Sequence, residues 1–170
     1  MSESRVRIAP LEAADAEQII QANLDSRSYH HPWVSPCVNM AGFVAWMARQ
    51  NETNRSFVAR EASSGGVVGV VNVSQIYLGN FCSAYLGFYG IAAHAGQGLM
   101  TEALSLAIDH AFDVIGLHRL EANVQPENTR SLSLIRRLGF AREGFSRDYL
   151  RIDGAWRDHE RWALLNERGD

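Results

Sequence analysis

The sequence predicts a single α/β domain with a mostly antiparallel sheet, and three observations carry that prediction. The chain has 170 residues, too few for two full cores and ample for one core without disulfide or metal staples. Period-two alternation marks a first segment, a group of three in the middle and a pair at the end, while helical spacing marks the stretches between them. The resulting order is strand, two helices, three strands, helix, strand, helix, two strands. Residues 1–170 contain no repeat, linker or low-complexity tract, so one domain is expected over the whole chain.

Each element has a local reason. Residues 5–9 (RVRIA) alternate polar and apolar like a half-buried strand, Pro10 breaks it, and residues 11–23 place apolar side chains at helical spacing. Residues 27–36 (RSYHHPWVSP), dense in Pro, His and aromatics, read as a loop. Residues 40–50 read as a helix with Phe43, Val44 and Met47 on one face. Residues 56–62 (SFVAREA), a turn at 63–66, residues 67–77 (VVGVVNVSQIY), a Gly79-Asn80 turn and residues 83–91 (SAYLGFYGI) make a meander of three strands. Beyond Gly98, the residues Met100, Ala103, Leu104, Ala107, Ala111 and Val114 recur every three or four positions, a long helix that Gly116 ends. Residues 118–124 (HRLEANV) form a short strand and 128–138 a helix closed by Gly139. Residues 140–164 form two strands around an Asp153-Gly154 turn.

Composition narrows the function classes. With 46% hydrophobic and 21% charged residues the chain is an ordinary globular protein, not a disordered or fibrous one. Sixteen Lys plus Arg against 19 Asp plus Glu leave a net charge of −3, which argues against a partner that is a long nucleic acid and leaves a small anionic ligand open. Cys37 and Cys82 stand far apart with no metal-ligand spacing, and residues 1–15 lack the apolar core of a signal peptide. No run approaches the ~18 apolar residues of a membrane span. A cytoplasmic enzyme or binding protein is expected.

Residues 89–104 (YGIAAHAGQGLMTEAL) carry the most chemistry: a strand runs through a glycine-containing loop straight into a helix. Gly96 and Gly98 let a ligand approach the backbone, and the free N–H groups and positive dipole end of the helix's first turn attract an anion. A nucleotide phosphate loop needs Gly-Lys-Ser/Thr where Leu99, Met100 and Thr101 stand. A dinucleotide fingerprint needs a third glycine where Thr101 stands, after a first strand in a parallel unit. The pyrophosphate of coenzyme A is the third possibility.

The same residues carry a family resemblance. Ala95-Gly96-Gln97-Gly98-Leu99-Met100 resembles the Gln/Arg-x-x-Gly-x-Gly/Ala signature of the GNAT superfamily of acyl-CoA-dependent N-acyltransferases, departing from it at Ala95 and at Met100. The second departure is shared by the ribosomal-protein alanine N-acetyltransferase branch. HPW at 31–33, GVVNVS at 69–74, AYLGF at 84–88, PENTRS at 126–131, RRLGF at 136–140 and DYLRIDGAWRDH at 148–159 extend the similarity to that branch. The resemblance implies a mostly antiparallel sheet of about seven strands, splayed between the fourth and fifth, flanked by about four helices. It further implies acetyl-CoA as cosubstrate, no metal, and direct acetyl transfer to a protein N-terminal α-amine. Small amines (antibiotics, polyamines, amino-acid derivatives) are the alternative acceptors, a non-catalytic acyl-CoA-binding module is the alternative of another class, and a monomer or homodimer is expected.

On the same resemblance, Tyr89, Gly90 and Ile91 would offer strand backbone to pantetheine, and Ala95, Gly96, Gln97, Gly98, Leu99 and Met100 would bind the pyrophosphate. Gly90 in mid-strand suits close ligand approach or a bulge, with simple packing as the alternative. The tyrosine that serves many relatives as proton donor is replaced by Ile135. Ser131 is then the implied thiolate proton donor, with Asn128 a contact to pantetheine, although Pro-Glu-Asn-Thr also makes a plain helix cap. Trp33 and Tyr149 fall on the substrate side, and Trp33 either walls the acceptor site or simply covers the sheet. His30, His31, Asp148 and Tyr149 border that side without any one standing out as base. Arg136 and Arg137 either reach phosphates or form a solvated helix face. His94, His110, His118 and His159 show no ligand spacing, and Cys82 beside Phe81 has no neighbouring base motif, so a covalent cysteine intermediate is not expected.

Overall fold

The computed structural model describes residues 4–168; residues 1–3 and 169–170 of the expected domain lie outside the described residues. Seven strands form one sheet: β1 (Val6–Pro10), β2 (Asn54–Glu61), β3 (Val67–Tyr77), β4 (Ser83–Gly90), β5 (Arg119–Val124), β6 (Ala141–Ile152) and β7 (Ala155–Leu165). Their spatial order is β1-β2-β3-β4-β5-β7-β6. All neighbours are antiparallel except β4 and β5, which run parallel and pair only from Ser83, Ala84 and Tyr85 to Arg119, Leu120 and Glu121. Beyond Tyr85 and Glu121 the two strands part, the splay expected from the resemblance.

Helices cover both faces. On one side α4 (Leu99–Asp109) and α5 (Thr129–Arg137) bury Leu104, Ala107, Leu132 and Ile135 against Phe57, Val71, Leu86 and Leu120 of the sheet. On the other, α1 (Ala16–Asp25) and α3 (Met40–Met47) bury Ile19 and Phe43 against Val58, Val67 and Ile91. Phe57 and Val58 serve opposite layers because successive strand residues point to opposite faces. The nearly unbroken apolar run of β3 is buried on both sides for the same reason. Each fully buried aliphatic side chain contributes roughly 1.5–3 kcal/mol. Among the described residues, no helix is long and apolar enough to cross a membrane.

Three details depart from the sequence expectations. The segment read as a loop at 27–36 begins with a short helix, α2 (Arg27–His30), because His30 and His31 donate their N–H groups to the carbonyls of Ser26 and Arg27. Pro32 then prevents continuation. In α3 the buried face is Phe43 with Trp46 and Met47 partly covered, while Val44 is 57% exposed. The long helix changes at His110–Val114 into a π turn, in which Ile115 donates to the carbonyl of His110. The wider turn rotates Val114 off the apolar stripe, leaving it 68% exposed.

Burial lowers the pKa of three imidazoles, His30, His110 and His159, below the ordinary value. The unfolded chain therefore binds more protons than the folded one just below about pH 6.5. The stability these groups contribute is present above that value and is lost as pH falls toward their depressed folded values. The urea midpoint of the ligand-free protein is expected to fall between pH 7 and pH 5.5, and to fall less in His159→Gln; equal midpoints at the two pH values would refute this.

Candidate functional site

The loop after β4 is shaped by two backbone requirements. A short 3-10 turn at Ala92–His94 leads to Gly96 at φ +75° and Gly98 at φ +78°, left-handed conformations that a side chain would strain. Gly98 is the N-cap of α4 and supplies no side-chain acceptor, so the first-turn N–H groups are left for a ligand. A Cβ placed on Gly96 would meet nothing within 4 Å, so the backbone there borders open space. The loop is held from behind by Arg5, whose guanidinium bonds Glu102 Oε1 at 2.7 Å through Nε and the Gln97 carbonyl at 3.2 Å through Nη2.

In front of this loop lies a cavity of about 350 Å³ running from the exit of β4 to α5. Of the residues expected at a coenzyme, Tyr89, Gly90, Ile91, Ala95, Gly96, Gly98, Met100 and Asn128 line it. Gln97 and Leu99 do not: Gln97 turns its amide to the Ala93 carbonyl, and Leu99 is buried in the core beneath α4. The arginine pair is divided. Arg137 lines the cavity with Nη1 3.5 Å from Thr101 Oγ1, while Arg136 lies over the Trp162 ring at 5.1 Å, outside it. Arg130, which sequence reasoning passed over although it adjoins Ser131, also lines the cavity and stacks on Tyr29 at 4.4 Å, spanning the space between α2 and α5. Among the described residues, no carboxylate lines the cavity. Free helix N–H groups, two arginines and no acidic side chain fit an anionic coenzyme.

The motif departure at Met100 has a structural counterpart. A Cβ on Gly69 would stand 2.4 Å from Met100 Sδ, and one on Gly90 would stand 3.1 Å from Met100 Cγ. Gly69 and Gly90 face each other across β3 and β4 in unshifted register, so Gly90 marks no bulge. The pair forms a notch that the methionine fills.

On the α5 side, Asn128 is the N-cap, accepting the Ser131 N–H on Oδ1 at 3.2 Å. Asn128 and Ser131 both line the cavity, so the capping role and a position at the site coexist. Ile135, one turn on, is fully buried in the core and cannot present chemistry. Trp33 lines the cavity too, its carbonyl 3.4 Å from Gln125 Nε2.

The possible bases separate. His30 is buried, lines the cavity and donates from Nε2 to the Gly90 carbonyl at 2.8 Å, with burial pushing its pKa down. His31 is exposed and outside the cavity. Asp148 is exposed at φ +46° and its N–H bonds Asp158. Tyr149 lies outside the cavity, where its nearby phenol, together with burial, raises the pKa of Tyr85; Tyr85 faces Glu121 at the last β4–β5 pair, at the mouth of the splay. Neither cysteine lines the cavity, and burial raises the Cys37 thiol. Among the described residues, no group of three His, Cys, Asp or Glu is placed to hold a metal ion.

Comparison with known proteins agrees with this geometry. The chain is 36% identical over 160 residues to the ribosomal protein uS5-alanine N-acetyltransferase of Escherichia coli (strain K12), covering 88% of this chain and 82% of that protein. It is 31% identical over 170 residues to the probable N-acetyltransferase YjcK of Bacillus subtilis (strain 168), covering 95% and 94%. The structure of Mycobacterium smegmatis RimJ in complex with CoA-disulfide superposes with a TM-score of 0.86 at 30% identity, over 96% of this chain and 83% of that one. The family model for the acetyltransferase (GNAT) domain matches residues 5–141, and the chain belongs to the GNAT family of N-acetyltransferases.

Proposed function

We propose that the protein transfers acetyl from acetyl-CoA directly to the α-amine of a protein N-terminus, as its similarity to the ribosomal protein uS5-alanine N-acetyltransferase suggests; that 36% identity over 160 residues is the observation that carries the acceptor class. Acetyl-CoA supplies an activated thioester. The Gly96–Gly98 loop and the first turn of α4 hold its pyrophosphate, and Arg137 adds the cation that Ala95, in place of Gln or Arg, does not provide. The unpaired edge of β4 past Tyr85 offers its peptide groups to the pantetheine amides. Asn128 uses Oδ1 for its cap, which leaves the amide N–H groups for a pantetheine carbonyl. Ser131, with its N–H already capped, presents its hydroxyl to the leaving thiolate as hydrogen-bond and proton donor.

Acceptor chemistry fits the shortage of bases. An amine must be neutral to attack, and an α-amine with a pKa of about 7.7–8.0 loses its proton near neutrality far more readily than a lysine at about 10.4. Among the described residues no carboxylate lines the cavity, and of the two imidazoles that do, His30 has its Nε2 committed to the Gly90 carbonyl while His94 sets its Nε2 against Gly66, so an acceptor needing little help is favoured.

Free-thiol release measured with acetyl-CoA against a panel of N-terminal peptides, spermidine and aminoglycosides is expected to be fastest with peptides bearing an N-terminal alanine. Faster turnover of the small amines would overturn the acceptor assignment. By calorimetry, Arg137→Ala should weaken acetyl-CoA binding roughly tenfold, the scale of one charge-assisted hydrogen bond, whereas Arg136→Ala should leave affinity unchanged; equal effects would remove Arg137 from the phosphate site. Ser131→Ala is expected to lower kcat about tenfold or more with little change in coenzyme affinity, and an unaltered kcat would eliminate its proton-donor role.

A further inference from the structure

Asn23, Ser26 and His30 are almost completely buried, at 0%, 1% and 4% exposure. They stand three and four residues apart, so they share one face of the nearly continuous α1–α2 segment. Burying polar groups costs stability unless they are bonded; each of the three has a contact at the exit of β4, and Asn23, whose Oδ1 has no partner among the described residues, also bonds the Cys37 carbonyl through Nδ2 at 2.8 Å. Asn23 Nδ2 lies 3.4 Å from the Tyr89 hydroxyl, His30 Nε2 donates to the Gly90 carbonyl at 2.8 Å, and Ser26 Oγ accepts the Ala92 N–H at 3.0 Å. The His30 ring also meets Tyr89 edge-on, with centroids 5.1 Å apart.

The bond to Gly90 falls at a sensitive place. Ile91 donates its N–H to Val68 of β3 at 2.8 Å, so strand alternation turns the N–H and carbonyl of Gly90 the other way, toward the splay, where no strand pairs with them. A free peptide edge presents both polarities. A bare carbonyl there would repel the negative charge that develops on an acyl oxygen, and a free N–H would stabilise it. With the Gly90 carbonyl engaged by His30, the edge is left as a donor.

We propose that His30, supported by Ser26 and Asn23, is a positioning residue for acetyl transfer: it engages the carbonyl of the Gly90–Ile91 peptide, which leaves the N–H of the preceding Tyr89–Gly90 peptide as the donor that faces the acyl oxygen. The inference rests on this cavity being the thioester site, and it is independent of the acceptor.

The test compares His30→Ala with His30→Gln, whose amide retains an N–H donor but cannot act as an imidazole base. Calorimetry with acetyl-CoA on the wild-type protein examines the cavity assignment by itself: without binding, that assignment fails before the variants are considered. Given binding, His30→Ala is expected to lower kcat tenfold or more with KM for acetyl-CoA within about threefold of wild type. His30→Gln is expected to recover kcat to within about threefold, with the same pH-rate profile. A wild-type kcat in His30→Ala overturns the proposal, and so does a His30→Gln as slow as His30→Ala, which would make the imidazole itself the working group. Should His30→Ala not fold, Ser26→Ala, which removes the Ala92 partner, is expected to lower kcat at unchanged KM; a wild-type kcat there overturns the proposal equally.

Discussion

The parallel pairing of β4 with β5 stops after Tyr85 and Glu121, and most of the site follows from that interruption. Backbone N–H and carbonyl groups that leave a ladder need other partners if they are to be sheltered from water. β4 continues to Gly90 with one edge paired to β3 and the other open, so its peptide groups face a cleft in the middle of the sheet. Helix α5, starting at the end of β5, places Asn128 and Ser131 on the far wall of that cleft. The α1–α2 segment closes the near wall with buried polar side chains. A continuous ladder would have had no opening for a ligand to enter.

The Gly96–Gly98 loop extends the same cleft toward solvent, and its packing explains why a departure from the family pattern is tolerated. A methionine at the sixth motif position would collide with strand side chains in a sheet of ordinary composition. Here Gly69 and Gly90 remove those side chains on two adjacent strands, and Met100 occupies the space. The three positions therefore form one packing unit. Enlarging either glycine requires the methionine to move, since interiors are too densely packed to absorb an extra carbon at 2.4–3.1 Å.

Much of this was readable from the chain because the signals were local. Alternation in β2 and β3, the glycines before α4 and the Asn-x-x-Ser start of α5 each depend on neighbours in sequence. The parts that were not readable depend on distant contacts. The loop reading of residues 27–36 followed composition, while the helical turn there closes on its own backbone bonds and is tied by His30 to Gly90, sixty residues away. Arg136 and Arg137 are adjacent in sequence and alike in chemistry. Which of them faces the cavity is decided by Trp162 on β7, whose ring takes one of the two. The π turn at His110–Val114 likewise had no periodic signature, because an inserted residue changes the phase of a helix without changing its composition.

Electrostatics show the same division between local and distant causes. A net charge of −3 would disfavour a large polyanion, yet it has little bearing on a cleft whose attraction comes from oriented peptide groups. The first turn of α4 contributes partial positive charge without a single lysine. Arg130 and Arg137 add full charges from α5, and among the described residues no carboxylate lines the cavity to offset them. Glu102, in the first turn of α4, is paired with Arg5 behind the loop. The glycine-loop side of the cleft thus takes its positive character from its own helix end and from α5. Beyond it, at the mouth of the splay, Tyr85 stands opposite Glu121 with Tyr149 near its phenol. That end is built from side chains of three separate strands, so no single sequence motif reports it, whereas the glycine loop before α4 is legible as one local pattern.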